Sequence, residues 1–295
     1  MKKIFTCVIA AMTAMSVMAQ DDAETIGFAY EAGAEVVSAY IWRGQYNGGL
    51  SLQPEALVGF DALSGAIEFR IGAWGNIGAS DWRFRRGAAT YTDAEGNEID
   101  PNTRFMPEID IIGSLSLFGL NLGFNHYYYC DGTNFFNWKS VATIDAEGGT
   151  STTEVWLGYN FGYFLNHGAY INWYTTIAGN DRVYDEFGDP HRAWSSYLEL
   201  GYDYNFEDIG LTIGAQLGMS PWRSDLYGNS KFAVTNISLK IDKEWEIGPL
   251  TLDLFAQGSI NPDGITRDNV YVHGSGDEKL YNQKLNGVIG LGFWF

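Results

Sequence analysis

Apolar residues alternate with polar or small ones in successive runs along most of this chain. Over 211–220, Leu211, Ile213, Ala215, Leu217 and Met219 alternate with Thr212, Gly214, Gln216 and Gly218. Over 249–260, Leu250, Leu252, Leu254 and Ala256 alternate with Thr251, Asp253, Phe255 and Gln257. Strict alternation marks a strand with two unlike faces. Twelve such runs predict strands over 34–44, 50–61, 66–76, 105–117, 120–130, 152–161, 168–178, 193–205, 211–220, 232–243, 249–260 and 283–295.

The connections come in two alternating lengths. Short turns fall at 62–65, 118–119, 162–167, 206–210 and 244–248, and longer loops at 77–104, 131–151, 179–192, 221–231 and 261–282. Only 45–49 is brief on the long side. Short turns on one rim and long loops on the other predict an all-β fold of one kind: a transmembrane antiparallel up-and-down β-barrel of about 12 strands, with short periplasmic turns and longer extracellular loops. An even strand number puts both termini on the periplasmic side.

A soluble sandwich would also alternate, but three features oppose it. The polar faces carry Gly and mid-sized polar residues instead of dense Lys and Glu. Aromatic residues gather at strand ends (Tyr40 and Trp42, Tyr128, Tyr159 and Phe161, Trp194, Tyr202 and Tyr204), where membrane girdles lie. The chain closes on Phe295 after an amphipathic run, which resembles the signal that bacterial barrels offer their assembly machinery.

The start supplies an address. Lys2 and Lys3 precede an apolar stretch over 4–14, and Val17-Met18-Ala19 forms a small-residue cleavage site. Residues 1–19 are expected to be a secretory signal peptide, since the apolar stretch is too short to span a bilayer. Residues 20–33 are expected to be a periplasmic lead-in, and 34–295 the barrel, in the bacterial outer membrane and in contact with its lipid.

Composition narrows the partners. Charged residues make up 18% and aromatic residues 16%, a balance unlike that of disordered chains, which are poor in aromatics. The formal net charge is −18, and removing Lys2 and Lys3 deepens it. Binding to nucleic acid by charge attraction is therefore excluded. Cys7 leaves with the signal and Cys130 remains alone, so the mature chain forms no internal disulfide.

Alternation assigns each strand residue to lipid or lumen. The expected lumen lining includes Glu35, Arg43, Glu55, Glu68, Arg70, Glu108, Asp110, Glu154, Asn172, Tyr174, Glu199, Gln216, Lys240, Asp253 and Lys284. The inward parity is nearly forced for Arg70, Lys240 and Lys284, because Arg or Lys at the lipid midplane costs roughly 2–4 kcal/mol. Acids outnumber bases in this set, and a negative lumen favours cations. For Arg43, an inward ion pair with Glu55 or Glu68 is expected ahead of a constriction charge.

No catalytic set is visible. His126 falls on the lipid face near the outer rim, but its same-face neighbour is Tyr128 and not a Ser, so the nucleophile–base pair of barrel lipases is absent. It is expected to be an interfacial aromatic. His167, His191 and His273 have no spaced partner. No zinc spacing is present, and acidic loops such as that of Asp181, Asp185, Glu186 and Asp189 are expected to carry solvated charge rather than calcium. No cofactor is implied.

The first hairpin carries a resemblance. Residues 36–44 read Val-Val-Ser-Ala-Tyr-Ile-Trp-Arg-Gly and are followed by Leu52-Gln53-Pro54. Ser38, Tyr40, Arg43, Gly44, Gln53 and Pro54 resemble the opening of the TorF-type porin family of bacterial outer-membrane proteins. The chain departs from that pattern at Ala39, where an Asp is common, and at Gln45-Tyr46-Asn47. The resemblance implies a barrel of porin type and brings no substrate or catalytic residues. Twelve strands lie between barrels filled by side chains and barrels with wide aqueous bores. The expectation is a narrow diffusion channel for small cationic or neutral solutes. The alternative is a non-conducting barrel acting through its extracellular loops as adhesin, receptor or scaffold.

Overall fold

The computed structural model describes residues 26–78, 91–92, 98–99, 108–129, 135–136, 151–165, 168–185, 187, 189–224, 226–263 and 285–295. The expected signal peptide and Lys284 lie outside the described residues, as do most of the loops at 77–104, 131–151 and 261–282.

Twelve strands close into one antiparallel barrel. They are β1 (Gly27–Val37), β4 (Ser51–Ala62), β5 (Ile67–Gly78), β8 (Glu108–Leu117), β9 (Leu120–Tyr129), β10 (Thr152–Asn160), β11 (Gly168–Gly179), β14 (Ser196–Phe206), β15 (Leu211–Ser220), β16 (Ala233–Ile247), β17 (Leu250–Ile260) and β18 (Leu285–Trp294). Each pairs with its neighbour in sequence order, and β1 closes the ring by pairing with both β4 and β18. Phe295 extends this seam: its N–H donates to the Ala32 carbonyl at 2.9 Å. Shorter pairs stand outside the barrel wall: β2 (Tyr40–Trp42) with β3 (Gln45–Gly48), β6 (Tyr91–Thr92) with β7 (Glu98–Ile99), and β12 (Arg182–Tyr184) with β13 (Pro190–Arg192).

The burial pattern is inverted relative to a protein in water. Leu157, Leu239, Ile241 and Ile289 are exposed on the outer wall, whereas Glu108, Glu154 and Asn236 are buried inside. A wall of exposed Leu, Ile, Val and Phe around a buried polar interior is stable only where lipid covers the outside. Closure leaves no unpaired strand edge in that lipid. The protein is a transmembrane β-barrel. Among the described residues no helix is long and apolar enough to cross a membrane.

The inward glycines act as seats for rings. A side chain at Gly218 would overlap the Tyr197 phenol, and one at Gly290 would overlap the Phe255 ring. Inward aromatic side chains thus lie flat along the wall on glycines of the adjoining strand. On the short-turn rim, Tyr159 with Phe161, Phe118 with Tyr163, and Tyr204 with Phe206 form edge-on aromatic pairs that build the girdle there.

Two boundaries differ from the sequence reading. The barrel begins at Gly27 and not at 34, so most of the expected lead-in is wall: Phe28 and Tyr30 face outward while Glu31 faces in, and Gly33, Ala32 and Ala34 blur the alternation between them. The first strand also ends at Val37 instead of 44. Residues 40–48 leave the wall as the hairpin β2–β3 and fold into the lumen. Tyr40 and Trp42 therefore belong to the interior and not to a membrane girdle.

Candidate functional site

The hairpin is turned by Arg43 and Gly44, both with positive φ (49° and 79°). Gly44 lies against the backbone of Thr235 and Asn236 on β16, where a Cβ would overlap the Thr235 carbonyl. The Gly44 carbonyl accepts a hydrogen bond from Asn286 Nδ2 of β18 at 3.0 Å. Tyr40 packs on Trp74 of β5 (5.5 Å between rings), and Trp42 meets Tyr127 of β9 edge-on (5.9 Å) while stacking on Tyr227 (5.7 Å). One short hairpin thus reaches walls on opposite sides of the bore.

Arg43 is the centre of this crossing. Its guanidinium makes a two-pronged ion pair with Glu154 of β10, at 2.7 and 2.8 Å, and both side chains are buried. It also donates to the Tyr227 hydroxyl. Its carbon centre stands 4.0 Å from the Tyr174 ring, 4.6 Å from Trp42 and 4.7 Å from Tyr197. Glu154 takes further hydrogen bonds from Tyr127 (3.0 Å) and Asn125 (3.3 Å). This is a desolvated cation held by a paired carboxylate and three π faces. The partner is Glu154, across the barrel, and not the neighbouring Glu55 or Glu68. Arg43 lies at a turn in the bore, so its partner is whatever strand the hairpin reaches.

Tyr227 arrives from the loop 221–232, which is itself fixed. Asp181 is fully buried and accepts from the Ser195 N–H (3.1 Å) and hydroxyl (2.6 Å), Ser224 donates to Ser195 at 2.7 Å, and the Tyr227 N–H donates to Ser224 at 3.0 Å. Asp181 is therefore a structural acceptor and not solvated loop charge. On the β11–β14 connection that carries Asp181, Asp185 accepts from His191 at 3.0 Å and from the N–H groups of Asp189 and Phe187, so His191 does have a partner. The His191 hydrogen bond, first, and these backbone donors hold the Asp185 carboxyl below its ordinary range.

Beneath the hairpin lies a cavity of about 410 Å³, lined by Glu35, Glu55, Asp110 and Lys240 among the expected residues and by Tyr40, Trp42, Trp74 and Tyr127 among others. A second cavity of about 280 Å³ shares Lys240 and adds Gln216, Tyr170, Asp203 and Asp242. Lys240 pairs with Asp242 at 2.6 Å and stands 4.4 Å from the Phe255 ring centre. Asp253 is buried beside Asp242.

The remaining expected residues divide by height. Asn172 donates to Glu199 at 3.3 Å, and the Gln216 carbonyl accepts from Asn236 at 2.6 Å, on the wall below Arg43. Glu108 is buried under the Tyr40 and Tyr129 hydroxyls. Arg70 pairs with Asp61 at 2.6 Å near the short-turn rim, where Glu68 is exposed. Tyr227, Trp74 and Asp242 were not anticipated. Asp242 shares the parity of Lys240 and was readable from it; Tyr227 sits in a loop and was not.

His126 points outward, but Phe135 and Phe136 cover it. Its ring bonds Thr153 of the next strand (2.8 Å) and the Phe135 carbonyl (2.8 Å), so it is buried instead of lying in the lipid interface.

No family model and no curated protein matches this sequence. Solved structures with a similar chain path include an outer-membrane channel of Pseudomonas putida F1 (TM-score 0.42, 10% identity, 94% of this chain and 96% of that one). The toluene transporter TodX of P. putida (0.36, 10%, 91% and 89%) and Salmonella typhi OmpF in complex with daunomycin (0.36, 10%, 92% and 98%) are others. Likeness at this level reflects the barrel alone, and the site is read from this chain's own residues.

Proposed function

We propose that the protein is a narrow diffusion channel for small cationic or neutral solutes. The observation that carries this reading is the latched hairpin: it narrows the outer half of the lumen, yet leaves acid-lined cavities beneath it. A plug built only to seal would leave no such space. Interior carboxylates outnumber interior bases among the described residues, and Arg43 and Lys240 are each already paired with an acid. The net field in the bore is then negative, which concentrates cations and repels anions.

The resemblance to the TorF-type porins fits this reading, since Tyr40, Arg43 and Gly44 of the matching motif form the hairpin and Gln53 lines the cavity. Removal of residues 1–19 as a signal peptide and recognition of Phe295 by the barrel-assembly machinery complete the proposal. The exposed Phe295 side chain at the β1–β18 seam is accessible for such recognition.

Planar-bilayer recording tests it. The wild-type protein should give small unitary currents that prefer K+ over Cl−. The pair Glu35→Gln with Glu55→Gln should lower that preference without abolishing conductance. Absence of any conductance, or a preference for anions, overturns the reading.

A further inference from the structure

Asp110 is buried in the wall of the larger cavity, 5% exposed, and its Oδ1 has no hydrogen-bond partner among the described residues. An unmet buried acceptor is unfavourable unless a ligand meets it. The strand register sets its surroundings. Glu55 of β4 stands opposite Trp74 of β5, Trp74 opposite Asp110 of β8, and Asp110 opposite Tyr127 of β9. This row of the lumen wall reads carboxylate, indole, carboxylate, phenol. Tyr40 and Trp42 of the hairpin close over it.

The charges are unbalanced. Among the described residues lining this cavity, Lys240 is the one base, and it is paired with Asp242. Glu35, Glu55 and Asp110 make no ion pair among the described residues. A cavity with aromatic faces and carboxylates outside any ion pair suits an organic cation. The bare Asp110 oxygen calls for an N–H donor, which a quaternary ammonium lacks. A hard metal ion needs a full oxygen shell, which indole and phenol faces do not supply. Neighbouring strands lie ~4.8 Å apart, so the Glu55 and Asp110 backbones are separated by roughly 10 Å with the Trp74 indole between them. That spacing fits two ammonium groups joined by a short methylene chain lying on the indole.

We propose that this cavity binds protonated linear amines, with short diamines fitting best. The proposal deepens the channel reading and rests on it for access to the lumen. It is tested by calorimetric titration of the purified full-length protein in detergent with 1,4-diaminobutane and with tetramethylammonium, alongside K+ currents in bilayers. Diaminobutane should bind saturably and reduce the K+ current. Tetramethylammonium should bind at least about tenfold more weakly, as should diaminobutane to Asp110→Asn, since each loses a charge-assisted hydrogen bond. Trp74→Leu should weaken diaminobutane binding as well, and heat-modifiable gel migration checks that both variants fold. No diaminobutane binding, equal affinity for the two cations, or unchanged affinity in Asp110→Asn overturns the proposal. A protein that binds the diamine but passes no current overturns the channel reading alone. One that conducts but does not bind overturns the amine site alone.

Discussion

Arg43→Met should release the hairpin from the far wall and raise single-channel conductance severalfold. The substitution keeps most of the side chain's bulk but removes the cation. Glu154 is then left buried with only the Tyr127 and Asn125 hydrogen bonds. Removing one member of a buried ion pair typically costs about 3–5 kcal/mol, because the remaining charge is uncompensated. The barrel itself need not unfold to relieve it, since its strands are held by continuous ladders. The cheaper escape is for the hairpin to swing out and water to reach Glu154. A cost of about 3 kcal/mol shifts the latched-to-released ratio by roughly 100-fold. Glu154→Met added to Arg43→Met should stabilise the fold relative to Arg43→Met alone, since it removes the stranded carboxylate. Unchanged conductance in Arg43→Met would show that the ion pair does not hold the constriction.

Gly44→Ala should act on the same element by a different route. Gly44 has φ of 79°, a conformation that costs a residue with a Cβ roughly 1–2 kcal/mol. The new methyl would also overlap the Thr235 carbonyl, at the β-bulge of β16 next to Asn236, which pairs with Gly218 of β15. Strain and overlap together should favour release by at least about tenfold. The comparison is Gly258→Ala, where the added methyl meets open space and conductance should stay as in the wild type. Equal behaviour of the two variants would contradict the packing of Gly44 against β16.

These two residues also mark where the sequence was and was not legible. The wall was readable because lipid and lumen impose opposite demands on alternate residues, so Leu250, Leu252 and Leu254 against Asp253 and Phe255 leave little freedom of register. The hairpin was hidden because Tyr40 and Trp42 prolong the alternation of β1 past Val37, and a period of two is the same in the wall and in the lumen. The unusually brief connection at 45–49, on a rim of long loops, was the available hint. The Arg43–Glu154 pair joins positions 111 residues apart, and nothing local in either segment encodes the other. Tyr227 was hidden for the same reason: a loop residue's place is set by the buried Asp181–Ser195–Ser224 chain that folds its loop inward. The inward glycines were visible as a composition but not as seats, because their role depends on which ring lies opposite.

In the proposed channel the hairpin is the element that limits the bore. Val37 and Ser51 are direct partners across β1 and β4, so residues 38–50 can be replaced by an Asn-Gly turn that joins the two strands without altering their register. Single-channel conductance of this variant, set beside the wild type in the same salt, is the most direct measurement. A large, steady conductance in the shortened protein against a small one in the wild type is the predicted result. Equal conductance in the two proteins would contradict it.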